Sequence, residues 1–266
     1  MELNSNDNSE FRKRKEHIYR LSLFIGELLL KNGADTDNVE FLCRSLCKSK
    51  GFKYISLFIT PTVIIIGDDR DDGITFMKTI KDRTINLQKC SLLNSLTLRL
   101  ISQEKVNIDK AVNILKKIEK KETYSFFIKA VAAGLGSATF TLLFKTNYLE
   151  FLFTFIIVII SLYIFKKIIE FSMTSMLGII ISTFFIGISA QFLNVLGLAP
   201  NSNFIIVGGI IPFLPGIAIT KSVSDLVSGN LLSGNARTTE AFLTALSIGI
   251  GIGGAMKLWI KLGGYI

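Results

Sequence analysis

A chain of 266 residues that is 49% hydrophobic, with mean hydropathy +0.47, is too apolar for an ordinary soluble protein, and its apolar residues concentrate after residue 125. Its net charge of +9 does not point to nucleic acid, because Lys and Arg are interleaved with Asp and Glu through the polar half and flank the apolar spans of the other. The opening MELNSNDNSEFRKRKEHIYR lacks the apolar core and small-residue cleavage site of a secretory signal, so a polar tail over 1–16 and a front half in the cytosol are expected.

Residues 17–31 carry Ile18, Leu21, Phe24, Ile25, Leu28 and Leu29 at helical spacing and stop at Asn32-Gly33, which predicts an amphipathic helix. Thr36 is placed to cap a second helix over about 37–50, with Val39, Leu42, Cys43, Leu46 and Cys47 on its core face and Gly51 ending it. FKYISLFI and VIIIG, separated by Thr60-Pro61-Thr62, and then GITFMKTI are β-branched and aromatic runs that predict a small antiparallel sheet. The acidic cluster Asp68, Asp69, Asp71 and Asp72 lacks the spacing and distal Glu of a calcium loop and reads as a solvated turn. Two further helices, about 87–103 and 108–120, complete an α+β domain over 17–122. Cys43, Cys47 and Cys90 cannot all pair within one chain and read as reduced, buried thiols. Cys43 and Cys47 share a helical face, but without a converging His17 or a second ligand pair they predict no metal.

Five apolar spans follow in residues 123–266, at about 126–144, 149–165, 171–192, 203–220 and 239–260, each near the roughly 20 residues that cross a bilayer core of about 30 Å. The fold class expected is an α-helical polytopic membrane protein of five transmembrane helices, in contact with membrane lipid and preceded by a small cytosolic α+β domain. With that domain inside, Lys166, Lys167, Lys221 and Arg237 fall in cytosolic loops. The outer side shows Lys145, with Lys257 and Lys261 at the end, a bias that puts the C-terminus outside the plasma membrane. Ala132, Ala133, Gly134, Gly136 and Ala138 in the first span, and Gly249, Gly251, Gly253, Gly254 and Ala255 in the fifth, mark close helix contact. Many transporters set two membrane halves around a midplane site, and five spans supply one half, so a second subunit or a homo-oligomer is expected.

The segment 203–237, NFIIVGGIIPFLPGIAITKSVSDLVSGNLLSGNAR, is the most informative. Pro212 and Pro215 each lack a backbone donor and clash with the preceding turn, which breaks the fourth span near its middle beside Gly208, Gly209 and Gly216. Non-helical backbone at that depth is tolerated only where protein buries it or a polar cavity meets it, so the break reads as part of a solute passage. Half-helix amides there suit a carboxylate and carbonyls suit an ammonium, with Thr220, Ser222 and Ser224 adding hydroxyls. Asp225 and Arg237 follow on a connector punctuated by Gly229 and Gly234, where they can pair as a gate or a substrate contact. Gln191 and Asn194 stand at the outer end of the third span, at the other mouth. Lys129 and Glu170 are the further charges near span ends, and no acid deep in a span announces proton coupling. No nucleophile and base pattern and no phosphate loop are present, so neither an enzyme nor an ATP-driven pump is expected, and no cofactor. A membrane sensor or scaffold with a ligand- or protein-binding cytosolic domain is the alternative to a transporter.

GADTDNVE at 33–40, RTINLQKCSLLNSLTLRL at 83–100 and GGIIPFLPGIAITKSVSDLVSGNLLSGNAR at 208–237 resemble three elements of the threonine/serine exporter (ThrE-like) family, within a resemblance running from about residue 20 to 260. The elements are Gly-Ala-x-Thr-x-x-Val-Glu, an Arg-x-x-Asn-Leu-x-Lys run followed by Asn and Arg, and a Pro-x-x-Pro-Gly core followed by Asp-Leu, a glycine and an Arg. The resemblance implies the larger, domain-bearing subunit of the split (YjjP-like) form, which works with a separate small five-span protein. It implies export of threonine and serine, as in fused members, or of succinate-like dicarboxylates, as in split ones. Residue by residue it implies roles for Pro212, Pro215, Gly216, Asp225, Gly234 and Arg237, and in the soluble half for Thr36, Glu40, Arg83, Asn86, Asn94 and Arg99.

Overall fold

The computed structural model describes residues 5–68, 74–81, 83–121, 124–144 and 147–263, so Asp69, Asp71 and Asp72 of the expected acidic turn, and Lys145, lie outside the described residues. The chain forms two compact units, Met1–Thr123 with Lys221–Ala236, and Tyr124–Thr220 with Arg237–Ile266.

The first unit contains α1 (Ser5–Lys31), α2 (Thr36–Ser49), the strands β1 (Ile55–Ile59), β2 (Val63–Asp68) and β3 (Thr75–Thr79), and α3 (Leu87–Ser102) and α4 (Ile108–Lys120). The helix expected over 17–31 starts earlier, at Ser5, so the residues before 17 are not simply a tail. Lys15 is buried in an ion pair with Asp68, and the Phe11 ring packs 5.5 Å from Phe52, which holds the early turns in place. The antiparallel sheet has the order β1-β2-β3, pairing Ile55 with Asp68 and Ile59 with Ile64, then Val63 with Thr79 and Gly67 with Thr75. Pro61 sits in the β1–β2 turn, closed by Thr60 Oγ1, which accepts from Val63 N at 3.1 Å. Leu21, Ile25, Leu28 and Leu29 of α1 meet Leu42 and Leu46 of α2, Ile64 of β2, Leu93 of α3 and Leu115 of α4 in a common core.

Cys43 and Cys47 are free thiols inside this unit, as the sequence suggests, while His17 is exposed on another surface. Burial pushes the Cys43 thiol up to about 11 and the Cys47 thiol up to about 12 from an ordinary 9.0. The unfolded chain loses these protons above about pH 9, whereas the folded unit keeps them to pH 11–12. Their contribution to stability, of the order of 3 kcal/mol each, is therefore complete below pH 9 and lost as pH rises beyond it. Denaturant midpoints of the chain in detergent are expected to fall between pH 8 and 10.5, and the double variant Cys43→Ala/Cys47→Ala is expected to flatten that dependence. An equally steep fall in the variant would show that other groups carry it.

The second unit holds α5 (Phe126–Leu142), α6 (Tyr148–Ser172), α7 (Ser175–Val195), α8 (Ser202–Ile210) with a short 3-10 turn Ile211–Phe213, the start of α9 (Gly216–Val227), and most of α10 (Leu231–Lys261). Among the described residues α6, α7 and α10 are long and apolar enough to cross a membrane, and α8 with α9 makes a further candidate, bent by 54°. The expectation of five spans rests on adding the shorter apolar helix α5 and counting the bent pair as one crossing.

Two loop assignments are corrected. Lys166 and Lys167 lie within α6 rather than in a loop, because Glu170 pairs with them at 3.8 and 3.0 Å and the helix runs on until Met173 takes a left-handed φ of 56°. Lys221 and Arg237 are likewise helical, since α9 runs from Gly216 to Val227 and α10 starts at Leu231 and not near residue 239.

Helix α8 is surrounded by α5, α6 and α7. A Cβ at Gly251 of α10 would lie 2.5 Å from Ile180 O, and Gly187 faces the Ala255 methyl, so positions along α7 and α10 advance together. These two helices run parallel.

Candidate functional site

In the first unit the 33–40 motif grips the second half of α9 and the start of α10. The chain leaves α1 through Gly33, whose φ of 86° suits glycine and turns its carbonyl outward. That carbonyl accepts from Lys221 Nζ, which also pairs with Asp35 at 3.1 Å. The capping role expected of Thr36 falls to Asp35, which holds the N-cap position of α2 with its carboxylate turned to Lys221 instead of to the helix amides. Thr36, 3% exposed, donates its hydroxyl to Oδ1 of Asp225, also 3% exposed, at 3.1 Å. Asp225 thus stands at the N-terminus of α2, where the helix macrodipole favours a carboxylate. One residue further, Asp37 accepts from the side-chain amide of Asn230.

The gripped segment is a helical hairpin. α9 ends in a turn at Gly229, φ 85°, and α10 begins at once. Ser222 donates to the Gly234 carbonyl at 3.1 Å, and a Cβ at Gly234 would lie 2.5 Å from Leu226 Cγ, so only glycine lets α9 and α10 come this close. The 83–100 motif braces the 33–40 motif. Asn86 caps α3 by accepting from Lys89 N at 3.0 Å, its own amide donates to Asn32 O at 3.0 Å, and Asn94 accepts from Asn38 at 3.4 Å. Arg83 and Arg99 are exposed, and Glu40 pairs with Arg44 at 2.7 Å at the edge of a cleft.

In the second unit the break falls where the two prolines stand. Leu214 and Gly216 are exposed, and among the described residues nothing lies within 4 Å of the Cβ position of Gly216. Thr220 is exposed too and returns its hydroxyl to Gly216 O at 3.1 Å. Gly208 and Gly209 have a different role in this arrangement: both are buried, and a methyl at 208 would overlap Thr141 and lie 3.1 Å from Ser137 O, while one at 209 would lie 2.7 Å from Ile186. They bring α8 against its neighbours. Arg237 is buried on α10.

Two polar groups stand out deeper in this unit. Glu150, absent from the charges the sequence pointed to, is 0% exposed. Its carboxylate accepts from Asn147 N at 3.0 Å, closing a capping box on α6, and from Asn201 N at 3.0 Å, tying α6 to the start of α8. The readable signal is the Asn147-x-x-Glu150 spacing. Gln191, 1% exposed, has neither amide atom hydrogen-bonded among the described residues, whereas Asn194 reaches Ser202 at 3.4 Å.

Over residues 20–259 the chain matches the family ThrE, described as "Putative threonine/serine exporter". It is 24% identical over 250 residues to the threonine/serine exporter of Corynebacterium glutamicum, covering 91% of this chain and 51% of that protein, so it spans about half the length of this relative. It is 23% identical over 254 residues to the "Probable succinate transporter subunit YjjP" of Klebsiella aerogenes, covering 93% of this chain and 96% of that one. The Escherichia coli protein of the same name is 21% identical over 255 residues, with the same coverage of 93% and 96%. No solved structure matches the chain.

Proposed function

Because the chain belongs to the ThrE family, whose members are membrane exporters and not enzymes, we propose that it is one half of a secondary exporter for small carboxylate-bearing metabolites. The substrates are threonine and serine or a succinate-like dicarboxylate, the classes named for its relatives. The chain crosses the plasma membrane five times, with the first unit in the cytosol and the C-terminus outside. The passage runs along Pro212, Pro215 and Gly216, continuing past Thr220 to Asp225 and Arg237.

One observation carries this reading: the break in the α8–α9 pair is uncovered, with Leu214 and Gly216 exposed and open space beside Gly216. Hydrocarbon does not tolerate unpaired backbone, so another polypeptide or a water-lined route must meet it. A second, small five-span membrane subunit supplies that cover. The N-terminal amides of α9 then face the passage and receive a substrate carboxylate.

Pro212→Ala with Pro215→Ala restores the missing donors and lets the helix run on. Efflux of labelled threonine, serine and succinate from cells producing this variant is expected to drop to background at unchanged membrane abundance. Full efflux by the variant would remove the break from the passage.

A further inference from the structure

A cleft of ≈ 250 Å³ opens in the first unit. Its walls are Leu57–Thr60 along the edge strand β1, Glu40 of α2, and Gly229–Ser233 at the start of α10. The chemistry of the two polar walls is opposite in sign.

On one side α10 begins. The amides of Leu232 and Ser233 belong to its first turn, where no intrahelical carbonyl can reach them. Asn230 precedes the helix, but its side-chain amide is committed to Asp37. Ser233 is 2% exposed, lines the cleft, and its hydroxyl makes no hydrogen bond among the described residues. Helix amides, the positive end of the macrodipole and a waiting hydroxyl together suit a carboxylate.

On the other side Glu40 gives Oε1 to Arg44 at 2.7 Å, while Oε2 has no partner among the described residues. A carboxylate oxygen with free lone pairs at a cleft wall suits an ammonium group. Leu57, Phe58 and Ile59 close the space with apolar surface, and Thr60, whose hydroxyl closes the β1–β2 turn, borders it.

We propose that this cleft binds a small α-amino acid as its zwitterion, the carboxylate on the start of α10 and the ammonium on Glu40. A short hydroxylated side chain fits beside Thr60 and Ser233. A dicarboxylate is disfavoured, because its second anion meets Glu40. The site is separate from the passage assigned to the second unit, and its occupant bears on the Gly229–Ser233 turn of the hairpin that Asp37 holds. The cytosolic unit thereby reads the amino-acid level at the hairpin that continues from the broken span.

The test is calorimetric titration of L-serine, L-threonine and succinate into the full chain in detergent, as wild type, Glu40→Gln, Ser233→Ala and Pro212→Ala/Pro215→Ala. Serine and threonine are expected to bind saturably, about tenfold or more weaker in Glu40→Gln and roughly fivefold weaker in Ser233→Ala, with succinate giving no saturable heat. The proline variant is expected to keep this binding, which separates the cleft from the passage. The Glu40–Arg44 pair is surface-exposed and contributes little to folding, and an unchanged thermal midpoint verifies that for Glu40→Gln. The inference is overturned if neither amino acid binds, if Glu40→Gln binds as wild type does, or if succinate binds as tightly. Loss of transport in the proline variant with binding intact leaves it standing, so the two readings fail separately.

Discussion

Asp225→Ala is expected to bring export down to the level of cells lacking the chain and to destabilise the first unit by about 2–4 kcal/mol. The carboxylate is buried, accepts the Thr36 hydroxyl at 3.1 Å and sits at the positive end of α2. Truncation leaves a buried hydroxyl without its acceptor and removes a charge from the dipole. Asp225→Asn keeps an acceptor at the same position and is expected to lose roughly half as much stability. Thr36→Val removes the other partner and is expected to resemble Asp225→Ala in direction, while Thr36→Ser is expected to be mild. Thermal midpoints and labelled efflux, read side by side, check these expectations. An Asp225→Ala chain with wild-type midpoint and export would leave the contact without a role.

The second large effect is steric. Gly208→Ala puts a methyl where Thr141 Cγ2 already lies, with Ser137 O 3.1 Å away on the backbone of α5. Overfilling a packed interior costs about 1–3 kcal/mol, and here α8 must shift away from α5 as well. A sharp fall in monodisperse protein after detergent extraction is expected. Thr141→Ser removes the offending methyl, so the double variant Gly208→Ala/Thr141→Ser is expected to recover much of the yield. A Gly208→Ala chain with wild-type yield, or one whose loss Thr141→Ser does not relieve at all, would deny the tight α5–α8 contact.

The elements of the first unit were legible because their apolar residues repeat at helical or strand period within short windows. The core side chains Leu21, Ile25 and Leu42 appear where those patterns put them. The break was legible for a similar local reason, since proline acts on its own turn. What was not legible depended on partners far along the chain. A threonine opening a helix reads as a cap, but the partner of Thr36 lies 189 residues away. Gly208 and Gly209, beside two prolines, suggest an opening, and only the position of Thr141 and Ile186 makes them packing residues. Charges mislead at helix ends: Lys166 and Lys167 read as a loop, yet pairing with Glu170 carries α6 through them. Glu150 hides for the opposite reason, because a single acid beside Tyr148 and Leu149 looks like an exposed helix start until Asn201 closes over it.

The convergence of Gly33, Asp35, Thr36 and Asp37 on Lys221, Asp225 and Asn230 gives the 33–40 motif a physical task. It holds the hairpin whose two helices continue into the apolar unit, so it acts on the same covalent path as the broken span.

The most direct measurement is efflux of labelled threonine, serine and succinate from cells without exporters of their own, producing this chain, a small five-span partner, or both. Efflux of at least one of the three solutes only when both are present is the expected result. Efflux unchanged for all three solutes in every combination would contradict the assignment of this chain as half of an exporter.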